Sequence, residues 1–220
     1  MMKDLQGPRR AAKSGTADSL VIFVHGYGAD GNDLISIGDA MAPHLPDTAF
    51  AAPNAPSKCT VNPFGFQWFP IPWLDGSTEA EAATGMLRAA DLLNRYFDEA
   101  MSAEGVRPDR TVLFGFSQGT MMCLHIAPRR AESFAGIVGF SGRLLRPKAL
   151  AAETCSRPPV FLVHGDRDDV VPPDSLAEAA SALKQAGFDV RTHVSRGMGH
   201  GIAPEALGMA LGFIQERLGS

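Results

Sequence analysis

Nowhere does this chain run for about 18 apolar residues without interruption, so it offers no candidate membrane-spanning helix. Cysteine is scarce as well. Cys59, Cys123 and Cys155 are odd in number, far apart and without a C-x-x-C pair, which argues against a disulfide framework or a thiolate zinc site. They are expected to be reduced, buried or incidental thiols. Neither sign of charge dominates: 20 Lys and Arg against 24 Asp and Glu leave a formal net charge of -4, with no basic footprint for nucleic acid. There is no internal repeat. The opening residues MMKDLQGPRRAAKSG carry basic groups but lack the apolar core of a secretory leader, so the expected location is the cytoplasm.

What is present suits one sizeable core, since 220 residues at 45% apolar are ordinary for a single domain. Residues 1–17 read as a polar N-terminal tail, open to flexibility, and 18–220 as the domain. Short apolar or β-branched runs at 20–24, 48–52, 112–116, 135–140, 160–163 and 190–194 are bounded by Gly, Pro or charge and read as strands. Most lack polar alternation, as strands covered on both faces do. Helical patterns occupy 32–41, 78–101, 117–126, 174–186 and 204–218. In the second, Met86, Ala90, Leu93, Phe97 and Met101 form one apolar stripe, expected to be core. This alternation predicts an α/β fold, a mostly parallel sheet with helices on both faces and no separate cap domain. In such sheets ligands sit at the carboxyl ends of the strands. The one long irregular segment, 54–76, holds four prolines and both tryptophans, and long ordered loops tend to carry function.

The sequence GFSQG at 115–119 matches G-x-S-x-G between a strand and a helix, the context of a nucleophile elbow. Glycines flank Ser117 because the turn is too sharp for side chains there. The helix that follows presents free N–H groups and a positive dipole end, suited to a developing oxyanion. Helix capping alone is the plainer role for such a serine, so further residues must decide.

A serine hydroxyl needs a base, and the base needs a third group to hold its tautomer. Chain order in folds with this elbow is Ser, then Asp or Glu, then His. His193 falls inside a strand, whereas His200 lies in GMGHG at 197–201, after that strand and before the final helix, and is the predicted base. HGDRDDVVP at 164–172 offers Asp166, Asp168 and Asp169, which spacing does not separate. The three carboxylates lack the Gly and closing Glu of a calcium loop and a histidine at ligand spacing, so no metal is expected. After the first strand, HGYG at 25–28 supplies flexible backbone for oxyanion donors, predicted as the N–H groups of Tyr27 and Gln118. His25 precedes the nucleophile and is expected to be structural.

Taken together, HGYGADGNDL at 25–34, PNAP at 53–56, GFQWF at 65–69, GFSQG, HGDRDDVVP and GMGH resemble the phospholipase/carboxylesterase family, which includes acyl-protein thioesterases and small bacterial carboxylesterases of the α/β-hydrolase fold. The resemblance covers about residues 18–218. It implies Ser117 as nucleophile, Asp168 as the acid, His200 as base and the amides of Tyr27 and Gln118 as oxyanion hole. A cofactor-independent serine hydrolase of carboxylic esters or thioesters is expected, taking a small-molecule or lipid-like substrate, as a monomer or homodimer. Expected pocket residues are Phe64, Phe66, Gln67, Trp68, Phe69 and Trp73 of the aromatic loop, with Leu144 and Leu145. The alternatives are a non-catalytic ligand-binding member of the fold, or a serine hydrolase of lactones or peptides.

Overall fold

The computed structural model describes residues 4–219. In chain order the elements are β1 (Arg9–Arg10), β2 (Ser19–Val24), α1 (Gly31–Met41), β3 (Thr48–Ala51), β4 (Ser57–Lys58), β5 (Phe66–Gln67), α2 (Pro72–Asp75) and α3 (Glu79–Glu104). They continue with β6 (Thr111–Phe116), α4 (Gln118–Ile126), β7 (Gly136–Phe140), α5 (Pro147–Glu153), β8 (Val160–Gly165), α6 (Asp174–Gln185), β9 (Val190–Ser195) and α7 (Pro204–Leu218).

Seven strands form one sheet in the order β1-β3-β2-β6-β7-β8-β9. All neighbours pair in parallel except β1, which runs antiparallel to β3. β2, β3, β6, β7 and β8 lack polar alternation because both of their faces are covered. Along β2, Leu20, Ile22 and Val24 join the core under α3, α4 and α6, while Val21 and Phe23 join the core under α1 and α7. Successive side chains point to opposite faces, so each apolar position finds its own layer.

Helix α3 begins at a capping box, in which the Thr78 hydroxyl accepts from the Glu81 N–H and the Glu81 carboxylate accepts from the Thr78 N–H. It buries the predicted stripe Met86, Ala90, Leu93, Phe97 and Met101, and ends at Gly105 in the left-handed conformation.

Two expectations change. Residues 1–3 of the expected N-terminal tail lie outside the described residues, but from residue 4 the segment is part of the fold rather than free. Arg9 and Arg10 pair with Ala51 and Phe50, the Ala52 N–H donates to the Pro8 carbonyl at 3.0 Å, and Leu5 and Ala12 are buried. The edge of β3 would otherwise expose a row of backbone groups, and this segment covers it. The irregular segment 54–76 also contains order: β4 and β5 pair as a small antiparallel ribbon, and α2 follows.

Candidate active site

At the carboxyl end of β6 the chain turns sharply into α4 through Ser117, whose backbone sits at φ 53° and ψ -116°. A residue with a β-carbon rarely takes that conformation, and here it is held by the Ser117 N–H donating to the Phe140 carbonyl at 2.8 Å. The two glycines of the motif have a packing reason. A side chain at Gly115 would meet the backbone of Thr120, and one at Gly119 would collide with the carbonyl of Val24. Their absence lets α4 lie directly against the sheet.

His200 is carried to this end of the sheet by the loop after β9. That loop is tied back to the segment after β8: the Gly197 N–H donates to Asp166 Oδ1 at 2.6 Å, and the Arg167 N–H donates to the Met198 carbonyl at 2.9 Å. Gly165 permits the approach, since a β-carbon there would press on the carbonyls of Met198 and Gly199. His200 Nδ1 then lies 2.8 Å from Asp168 Oδ2, and its ring packs 5.0 Å from that of Phe116.

Of the three neighbouring aspartates only Asp168 is buried, at 5% exposure. Its Oδ1 accepts from the N–H groups of Val170 and Val171 at 2.9 and 2.8 Å. Its Oδ2 faces His200 and, at 3.1 Å, His164 Nε2. Burial pushes this carboxyl upward, but the hydrogen bonds from His200, Val171 and Val170 outweigh it and hold the group below the usual carboxylate range. His164 is a contributor that sequence reading passed over; its place at the head of HGDRDDVVP was the available signal.

Ser117, His200, Tyr27 and Gln118 line one cavity of about 500 Å³. The backbone N–H groups of Tyr27 and Gln118 have no hydrogen-bond partner among the described residues, whereas the adjacent Gly28 N–H is taken by the Phe66 carbonyl at 2.8 Å. His25 is structural, as expected: its Nδ1 lies 2.7 Å from the Gly26 carbonyl and its Nε2 accepts from the Ala55 N–H at 3.0 Å. Burial lowers its pKa below the ordinary histidine value.

The predicted pocket lining needs correction. Phe69 and Trp73 line the cavity, but Phe64, Phe66, Gln67, Trp68, Leu144 and Leu145 do not. Phe64 stands 89% exposed, and Phe66 packs under Lys58 Nζ at 3.9 Å. Gln67 accepts from the Thr60 N–H at 3.1 Å, and Leu144 and Leu145 join the core. Trp68 is buried with both of its N–H groups satisfied: its indole N–H donates to the His25 carbonyl at 2.8 Å, and its backbone N–H donates to Gln118 Oε1 at 2.9 Å. Gln118 Nε2 completes the tether by donating to the Phe69 carbonyl at 2.7 Å. The apolar wall falls instead to Ile71, Trp73, Leu74, Met121 and Val170, with Arg143 and Glu79 as charged lining residues.

A parallel sheet with this elbow after a central strand, and a buried aspartate paired with a half-buried histidine after later strands, defines an α/β-hydrolase. The phospholipase/carboxylesterase family model matches residues 7–218. The chain belongs to that family and, by that membership, is a carboxylic ester hydrolase. Acyl-protein thioesterase 1 of Gibberella zeae is 32% identical over 212 residues, covering 90% of each chain. The crystal structure of esterase PE8 is 43% identical with a TM-score of 0.93, covering 98% of this chain and all of its own. Acyl-protein thioesterase 2 of Zea mays, at 23% identity and a TM-score of 0.75 over 97% of this chain and 100% of its own, shares the fold. Among the described residues no helix is long and apolar enough to cross a membrane, and no cluster of His, Cys, Asp or Glu forms a metal site.

Proposed function

We propose that this protein hydrolyses carboxylic esters and thioesters through an acyl-enzyme on Ser117. The supporting observation is the hydrogen bond between His200 Nδ1 and buried Asp168, at the same cavity as Ser117. With Nδ1 donating to the carboxylate, Nε2 is left with its lone pair free to act as base. His200 Nε2 takes the Ser117 proton as Oγ bonds to the acyl carbon. The tetrahedral oxyanion is met by the N–H groups of Tyr27 and Gln118. His200 then passes its proton to the departing alcohol or thiol, leaving the acyl group on Ser117. Water, deprotonated by His200, attacks that ester, and collapse releases the acid and restores the serine. Asp168 holds the tautomer throughout and stabilises the imidazolium. No step calls on a cofactor or a metal.

The apolar lining of Ile71, Trp73, Leu74, Met121 and Val170 suits the hydrocarbon part of a short or medium acyl chain. A fluorophosphonate probe tests the reading. It is expected to label the native chain at Ser117 and to leave Ser117→Ala unlabelled; a native protein that neither labels nor turns over an ester panel would be a non-catalytic member of the fold.

A further inference from the structure

On the far side of α4 from Ser117, a second cavity of about 300 Å³ opens between α3, α4 and α5. It shares no lining residue with the cavity at Ser117. Three guanidinium groups gather there, from Arg129, Arg130 and Arg146, together with the imidazole of His125.

The donors outnumber the acceptors available to them. Glu153 spends both carboxylate oxygens, one on Arg129 Nε at 2.7 Å and the other on Arg146 Nη2 at 2.8 Å. Arg130 is held by Asn94 Oδ1 at 2.5 Å and Asp98 Oδ1 at 2.6 Å, yet its Nε is buried with no partner. Each guanidinium carries five N–H groups and accepts nothing. Asp91 is the remaining acidic lining residue, and no hydrogen bond joins it to these arginines among the described residues. His125 is 4% exposed, and its Nδ1 is likewise buried without a partner. Burial first, then the charges of Arg129 and Arg146, hold its pKa down to about 4, so the ring is neutral near pH 7. A buried donor left unpaired is costly, so Arg130 Nε calls for an acceptor that the chain itself does not supply, and His125 Nδ1, in the tautomer that carries its proton there, can donate to the same guest.

The backbone adds an independent sign. Arg146 takes the left-handed conformation, φ 50° and ψ 50°, although it is not glycine. Strain of this kind concentrates where a side chain must be aimed. Here it directs a guanidinium to the cavity mouth.

We propose that this cavity is a binding site for a small oxyanion-bearing molecule, a phosphate or carboxylate compound whose oxygens accept from Arg130, Arg146 and His125. Planar guanidinium forks match both groups in bidentate fashion. The site is independent of the chemistry at Ser117, and its test does not read esterase activity.

The test is titration of the full chain with inorganic phosphate and, separately, with citrate, at ionic strength held constant with sodium chloride, followed by calorimetry and thermal unfolding. Saturable heat and a saturable rise in Tm are expected with at least one of the two probes, and the better probe names the ligand chemistry. Binding should weaken at least about tenfold in Arg146→Gln and in Arg130→Gln. Arg146 is the more exposed of the two, so Arg146→Gln keeps the test decisive if Arg130→Gln does not fold. The proposal is overturned if neither probe binds saturably below about 20 mM, or if Arg146→Gln, folded and with unchanged Tm in the absence of ligand, binds as the native chain does.

Discussion

His200 Nδ1 lies 2.8 Å from Asp168 Oδ2 although 32 positions separate the two residues, and the neighbouring Asp166 serves the same loop differently, by accepting from the Gly197 N–H at 2.6 Å. The two aspartates are therefore separable by mutation. Asp168→Asn is expected to lower kcat/KM on nitrophenyl esters on the order of ten-thousand-fold with the fold retained, because the amide favours the wrong tautomer of the imidazole. Asp166→Asn should cost far less, since Asn keeps a carbonyl for Gly197. A larger loss in Asp166→Asn would reassign the acid. His164→Ala, which removes the 3.1 Å contact on Asp168 Oδ2, should fall between the two.

Gln118 joins the start of α4 to the loop before α2 through its side chain, while its backbone N–H is left to the site. Replacing it with Ala leaves the Trp68 N–H and the Phe69 carbonyl buried and unpaired, at roughly 1–3 kcal/mol each. The expected result is a clear drop in Tm and a loosened pocket wall. Unchanged thermal unfolding would show that the loop is held elsewhere.

Trp73 lines the cavity with 70% of its surface exposed, so its removal should matter to substrate more than to folding. Trp73→Ala is expected to reduce kcat/KM for an eight-carbon nitrophenyl ester by about tenfold while leaving the acetyl ester near its native value, in keeping with about 0.8 kcal/mol per buried methylene. Equal losses on both substrates would remove Trp73 from the acyl wall.

Acid stability should report His125. Its pKa is held down to about 4 by burial, with Arg129 and Arg146 adding to the effect and Glu153 opposing it. In the unfolded chain the same ring titrates near 6.5, so below that pH the unfolded state binds the extra proton and stability falls until pH nears 4. The loss attributable to this one group reaches roughly 2 kcal/mol by pH 5. Urea unfolding of His125→Gln at pH 7 and pH 5 should show a correspondingly smaller fall between the two; parallel curves for the two proteins would contradict it.

Much of the fold was legible because its strands are continuous apolar runs and its long helix carries a 3.6-residue stripe, both of which follow from burial on two faces or one. The elements missed are those with no pattern of their own. Arg9–Arg10 is exposed and charged, and becomes a strand only because β3 offers free backbone groups at the sheet edge. The aromatic loop misled in the opposite sense. Its composition reads as a pocket wall, yet Trp68 is core because Gln118 and His25 satisfy its polar atoms from distant parts of the chain.

The amino-acid order by itself determined the elbow around Ser117, the loop position of His200, the layered α/β alternation and the glycines that close approach demands, since each depends on short-range geometry or periodicity. It left Asp166, Asp168 and Asp169 equivalent until a family pattern was brought to them. Only the folded chain distinguishes them physically, by burying one carboxylate among donors from Val170, Val171 and His200 while its neighbours stay at the surface. Burial and hydrogen-bond partners belong to the tertiary arrangement, and no local spacing encodes them.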